Sequence, residues 1–213
     1  MSRLKLMVLS VMAVFAVGAV AASAASAAPH WVIEGKALAA GESETVLALI
    51  SGPAVLHGRI GKVGFELTCT AAHASGTIKG TNTDAAPNGI PFAGCTVNHP
   101  TGCTAVEPIS TKALTSELLT TEEGKRRQDT WTAPAEEFAE ITVSGTACSV
   151  EGKYLVKGKA QCEGESGEAV DFSCLFNAKS GSVLKLGVNE TDFLAHFLFL
   201  LTGAHAGKKW GTS

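Results

Sequence analysis

The sequence predicts an all-β fold, an antiparallel β-sandwich or jelly-roll-like domain stapled by disulfides, and three observations predict it. Short runs rich in Val, Thr, Ile and Phe recur about every 8–12 residues between turn residues, the pattern of a sandwich or barrel. No apolar stripe of helical period persists beyond two turns. The six cysteines form an even set downstream of an export signal, which reads as a disulfide framework.

The chain begins with that signal. Arg3 and Lys5 precede an apolar run from Leu6 to about Val20, and small residues from Ala21 to Ala28 follow. A charged start, an apolar middle and a small-residue end make a secretory signal peptide. Ala25-Ser26-Ala27 supplies small side chains at the cleavage positions, so residues 1–27 are expected to be removed and 28–213 to form one β-rich domain. Without Arg3 and Lys5, 15 basic residues face 20 acidic ones, a charge of about −5. That mild acidity excludes the basic face of a nucleic-acid binder. No later segment is long enough to span a membrane as a helix.

Candidate strands follow in order: Trp31–Glu34, Thr45–Ile50, Ala54–Leu56, Val63–Thr70, Ser75–Lys79, Ile90–Val97, Cys103–Val106, Ala113–Leu119, Gln128–Thr132, Phe138–Gly145, Lys153–Ala160, Ala169–Phe176, Val183–Leu186 and Phe193–Thr202. The polar stretch Thr81 to Asn88, ending in Pro87-Asn88-Gly89, reads as a loop. Ala133 to Ala139 is the best helix candidate, with Thr132 as cap and Pro134 in the first turn. In Phe193–Leu201, Phe193, Phe197, Phe199 and Leu201 share one strand face, and Leu194, His196, Leu198 and Leu200 share the other. A strand apolar on both faces belongs in the middle of a packed fold.

The cysteines are Cys69, Cys95, Cys103, Cys148, Cys162 and Cys174. A hairpin with its loop near Asn98 to Pro100 would set Cys95 opposite Cys103. The turn-rich Glu163–Gly167 stretch would let Cys162 meet Cys174, which leaves Cys69 with Cys148. The rival reading is a zinc site from Cys69, His73, Cys95, His99 and Cys103, but closely spaced cysteine knuckles are missing and export favours oxidation. No metal, cofactor or catalytic residue is therefore assigned.

The chemistry-bearing residues point to no standard motif. Gly164-Glu165-Ser166-Gly167-Glu168 misses a nucleophile elbow by one position, and Gly203–Lys209 falls one residue short of a phosphate loop. Glu136, Glu137, Glu140 and Asp171 could serve a glycosidase, but no spacing pairs them. His57 and His196 read as polar tips or satisfied core groups, and Lys125-Arg126-Arg127 as a solvated hairpin tip. Trp31, Trp131 and Trp210 could stack on sugar rings, though isolated tryptophans more often serve a core.

Leu67-Thr68-Cys69, Ile90-Pro91-Phe92-Ala93-Gly94-Cys95, Gly102-Cys103, Ile109–Leu114, the Phe138–Gly145 strand leading to Cys148 and the closing Leu201–Gly211 together carry a resemblance. Over most of the mature length the chain resembles a group of uncharacterised exported β-rich proteins of high-GC Gram-positive bacteria. The resemblance implies four framework cysteines, Cys69, Cys95, Cys103 and Cys148, with Cys162 and Cys174 as an added pair. It implies no activity. The expected function is that of a secreted or cell-envelope β-sandwich with a structural or ligand-binding role, its partner a cell-surface polymer or another envelope protein. The alternative is an extracellular carboxylate-dependent hydrolase acting on a glycan or ester.

Overall fold

The computed structural model describes residues 28–120 and 127–213. The expected leader, Lys125 and Arg126 lie outside the described residues.

The described chain starts with β1 (Trp31–Ile33) and β2 (Lys36–Ala37). A meander of eight lanes then runs through the remaining strands. Lane one is β3 (Ser43–Ile50) continued by β4 (Ala54–Ile60), and lane two is β5 (Val63–Lys79). Lane three joins β6 (Thr83–Ala86) and β7 (Pro91–His99). Lane four joins β8 (Thr104–Ala105), β9 (Ile109–Ser110) and β10 (Leu114–Thr120). Lanes five and six are β11 (Arg127–Ser144) and β12 (Gly152–Gly164). After the short β13 (Gly167–Ala169), lane seven joins β14 (Asp171–Phe176) and β15 (Val183–Leu186), and β16 (Asn189–Leu201) is lane eight. A 3-10 turn, Gly203–His205, leads into β17 (Trp210–Thr212).

Each lane is antiparallel to the next. Lane eight pairs back onto lane one, Leu200 opposite Leu47 and Asp192 opposite His57. The sheet is therefore closed. The expected antiparallel, disulfide-stapled β domain is present, and its packed layers are opposite walls of one barrel. Closure leaves the eight lanes without a free edge, which removes the usual template for strand addition.

Each lane bends near its middle. In lane one Leu49 faces His73 but Ala54 faces Cys69, so the lane holds one residue more than its partner there. In β5 the inward row Phe65, Leu67, Cys69 resumes one position late at Ala72, Ala74 and Ile78. Bulges of this kind give a sheet the curvature that closure requires. They also explain two differences from the sequence reading. Val63–Thr70 and Ser75–Lys79 are one strand, and so are Gln128–Thr132 and Phe138–Gly145.

The expected helix at Ala133–Ala139 is absent. That stretch is a bulge inside β11, where Ala135 and Glu136 have positive φ and the register with β12 shifts between Thr132 and Glu137. Pro134 serves a strand kink here, and the strand partners on both sides outweigh two turns of local helix propensity. The expected loop Thr81–Asn88 contains β6, which β5 and β10 clamp from both sides.

Inward rows supply the core. Phe65, Ile78, Leu114, Ile141, Val143, Leu184, Leu186 and Phe197 are almost fully buried. In β16 the odd-numbered row Ala195, Phe197, Phe199, Leu201 points in, and His196, Leu198 and Leu200 are half-buried on the outside. The outward rows of β5, β11 and β12 are largely Thr, Ser, Glu, Lys and Gln, the reverse of a lipid-facing barrel. No helix among the described residues is long and apolar enough to cross a membrane.

A second small sheet, ordered β13-β17-β1-β2, lies at the barrel end where β5, β10, β12 and β16 finish. It brings Trp31 and Trp210 against Phe172 of lane seven, with ring centroids 5.2 and 5.6 Å away. This sheet caps the barrel.

Three disulfides are closed, and no described cysteine is free. Cys162 bonds Cys174, as the hairpin argument expects. The other two pairings correct it: Cys69 bonds Cys95, and Cys103 bonds Cys148. The reason lies in the lanes. Cys95 is on β7 directly opposite Cys69 of β5. The chain turns after His99, and β8 pairs with β11, which carries Cys103 toward the turn that holds Cys148. Residues 95–103 are thus a corner between two partners and do not form a hairpin.

Candidate functional site

Beneath the cap lie two buried acids, the deepest-set carboxyls among the described residues. Asp84 on β6 and Asp129 on β11 both point into the barrel, 6% and 2% exposed. Lane four separates their strands: Ser116 on β10 lies opposite Asp84 on one side and Trp131 on the other. The Ser116 hydroxyl donates to Asp84 Oδ2 at 3.0 Å. The two carboxyl groups are within hydrogen-bonding reach of each other. The indoles of Trp31 and Trp131 are aimed at Asp84 and Asp129 respectively, yet neither N–H completes a well-formed bond, and one oxygen of each carboxyl is left without a partner.

A cavity of about 20 Å³ adjoins the pair. Its walls include Asp84, Asp129, Trp31, Trp131, Trp210 and Phe199. The three tryptophans, widely spaced in sequence, thus meet at one place. Trp31 and Trp210 are 5.6 Å apart, and Trp131 stacks on Phe199 at 6.1 Å. Their faces are spent on core packing and on one another, so they present no open sugar platform.

Burial controls the chemistry of the pair. Loss of solvent, then the neighbouring Asp129 charge, holds the Asp84 carboxyl well above the usual range, against the Ser116 hydrogen bond. Loss of solvent also pushes Asp129 up, to about 7, against the lowering pull of the nearby Ser116, Asp84 and Trp131 donors. Two carboxyls in contact in a low-dielectric site share protons and titrate as one unit.

The acids singled out from sequence are elsewhere. Glu137 and Glu140 form surface ion pairs with Lys157 and Lys153, both at 3.4 Å, and Glu136 and Asp171 are exposed. His57 is exposed on β4. His196 lies on the outer wall, where its Nε2 meets Ser173 Oγ at 2.7 Å across β14 and β16. The pair borders a surface hollow together with Glu163, Glu165, Ser166 and Leu175. A serine held on an imidazole is only the first element of an activated nucleophile. Arg127 donates from Nη1 to Thr120 Oγ1 at 2.8 Å. His73 and His99 are exposed, and the sulfurs of the rival metal set are all in disulfides. Asp129 has the sulfurs of Cys162 and Cys174 close by, but these are bonded to each other.

Sequence reasoning missed both aspartates. Asp129 alternates with Trp131, so a core tryptophan two residues on was a signal that Asp129 also points in. Asp84 had no such signal, because its strand is short and polar.

A second feature lies on the outer wall. Thr83, Thr115, Glu117, Thr130, Thr132 and Lys159 border a hollow of about 570 Å³ over lanes three to six. Thr115 and Thr132 face each other with hydroxyls 3.4 Å apart, and the Gln161 amide meets Thr130 Oγ1 at 2.8 Å. Comparison with protein-family models, with curated proteins and with solved structures returns no match, so the reading of these features rests on their own geometry.

Proposed function

We propose that this chain is an exported, non-enzymatic β protein of the cell surface that adheres to a hydroxyl-rich envelope polymer. The observation that carries the reading is the threonine-lined outer wall over lanes three to six. Its hydroxyls stand on a disulfide-tied sheet at strand spacing, so they meet a polymer without being ordered first. Lys79, Glu117 and Lys159 add charged donors and an acceptor at the rim. The leader-like start and the three disulfides support an oxidising compartment outside the cytoplasm. The hydrolase reading does find a convergent acid pair in Asp84 and Asp129. That pair is enclosed by core tryptophans, and the cavity beside it, about 20 Å³, is too small to admit a glycan.

Sedimentation with insoluble cell-wall polysaccharide tests the proposal. The protein is expected to pellet with the polymer, and Thr130→Val with Thr132→Val to weaken that binding about tenfold at unchanged thermal stability. Equal binding by the variant, or none by the parent, removes the proposal.

A further inference from the structure

The buried acids are on the inward rows of β6 and β11, away from the threonine row, and they sit where the cap meets the barrel. Trp31 belongs to β1 and Trp210 to β17, and both line the cavity that Asp84 and Asp129 border. Apart from the indoles, the cap is held to the lanes by the β13–β17 ladder, Gly167 opposite Thr212 and Ala169 opposite Trp210, and by a few side-chain ties. Lys208 donates to Glu34 at 2.7 Å, Gly35 N–H to Glu168 Oε1 at 2.8 Å, and His205 faces Glu44 at 2.9 Å. The side-chain ties are at the surface, so the hold on β1 and β17 comes mainly from that ladder and from the two indoles in the mouth.

We propose that Asp84 and Asp129 are a proton-operated latch: with the pair protonated the Trp31/Trp210 cap stays seated on the barrel mouth, and loss of those protons to solvent releases it. Charge is what the mouth cannot accommodate. The remaining walls of the cavity come from β3, β5, β6, β11, β14 and β16, and none of their lining side chains besides the two aspartates ionises. From β10 the pair meets Ser116, and from β12 and β14 the Cys162–Cys174 disulfide. The nearest cation on β11 is Arg127, whose guanidinium is turned to Thr120. His30 of the cap faces Asn82, at 3.3 Å. Among the described residues a carboxylate formed here has no cationic partner in the mouth, whereas opening the cap hydrates it. Lifting the cap exposes indole faces and two acids together and leaves the disulfide-tied lanes closed.

The latch differs from a general loss of stability in where the chain opens. Hydrogen exchange, corrected for intrinsic rate, would be followed from pH 5 to 9 in residues 28–39 and 208–213 and in β5 and β12. Acrylamide quenching of tryptophan emission would be read in parallel. The cap opening constant is expected to rise up to tenfold per pH unit for each proton released, with β5 and β12 still protected. Asp84→Asn with Asp129→Asn keeps the shape and removes the charge, so its cap and its quenching should stay at the acid-side values across the range. A pH-independent cap, or cap and barrel opening together, overturns the latch. So does a rise that persists in the double variant, which would place the switch at His205–Glu44. Suppression of the rise by millimolar calcium also overturns it, in favour of a cation site. Should the double variant fail to fold, the cap-against-barrel comparison in the parent protein decides alone.

Discussion

A carboxyl buried as deeply as Asp129 binds its proton more tightly in the folded chain than in the unfolded one. Its value rises from 3.8 to about 7. The sign follows from proton counting: between those two values the folded state holds the extra proton, so stability falls as pH rises and levels off above about 7 for this group. The urea midpoint is therefore expected to be higher at pH 5 than at pH 8, and Asp129→Asn to flatten the difference. An unchanged slope in that variant would assign the dependence to other groups. Glu136 offers a backbone test at the same scale. Its φ of 57° suits glycine better than a side chain. Glu136→Gly should be near neutral, and Glu136→Val should cost about 1–2 kcal/mol in the same denaturation assay.

At the scale of elements, β5 and the cap depend on each other at one contact. Gly80 follows β5 and lies so close to the Ala39 carbonyl that a Cβ would collide with it. Gly80→Ala should cost about 1–3 kcal/mol and speed exchange in β1 and β2 before β5. In β16, Phe197 contacts Phe92, Phe176 and Phe199, and Phe197→Ala should cost about 3–5 kcal/mol. Strand content was readable because inward and outward residues alternate on a closed wall, and β16 showed its two faces plainly. Strand continuity was not, since the mid-lane bulges shift that alternation by one residue and mimic turns, as at Thr70–Ala71 and Pro134. The same shifts hid the site: Asp84 lies on a strand of four residues held entirely by its neighbours, a contact that local sequence does not record.

For the whole molecule, the three disulfides divide the work of restraining the unfolded chain. They close separations of 45, 26 and 12 residues at Cys103–Cys148, Cys69–Cys95 and Cys162–Cys174. On chain entropy alone, replacing each pair by alanine should cost about 4, about 3.5 and about 3 kcal/mol in that order. Urea unfolding of the three double variants checks the ranking, and a larger loss at Cys162–Cys174 would show that its packing beside Asp129 outweighs loop length. The pairing of β1 with β17 sets Trp31 opposite Thr212, both on the cap. Residues 31 and 212 thus leave the fold side by side. A pull applied between them would unzip that ladder one bond at a time instead of shearing it, so β1 would part from β17 at low force before load reached the cross-linked barrel.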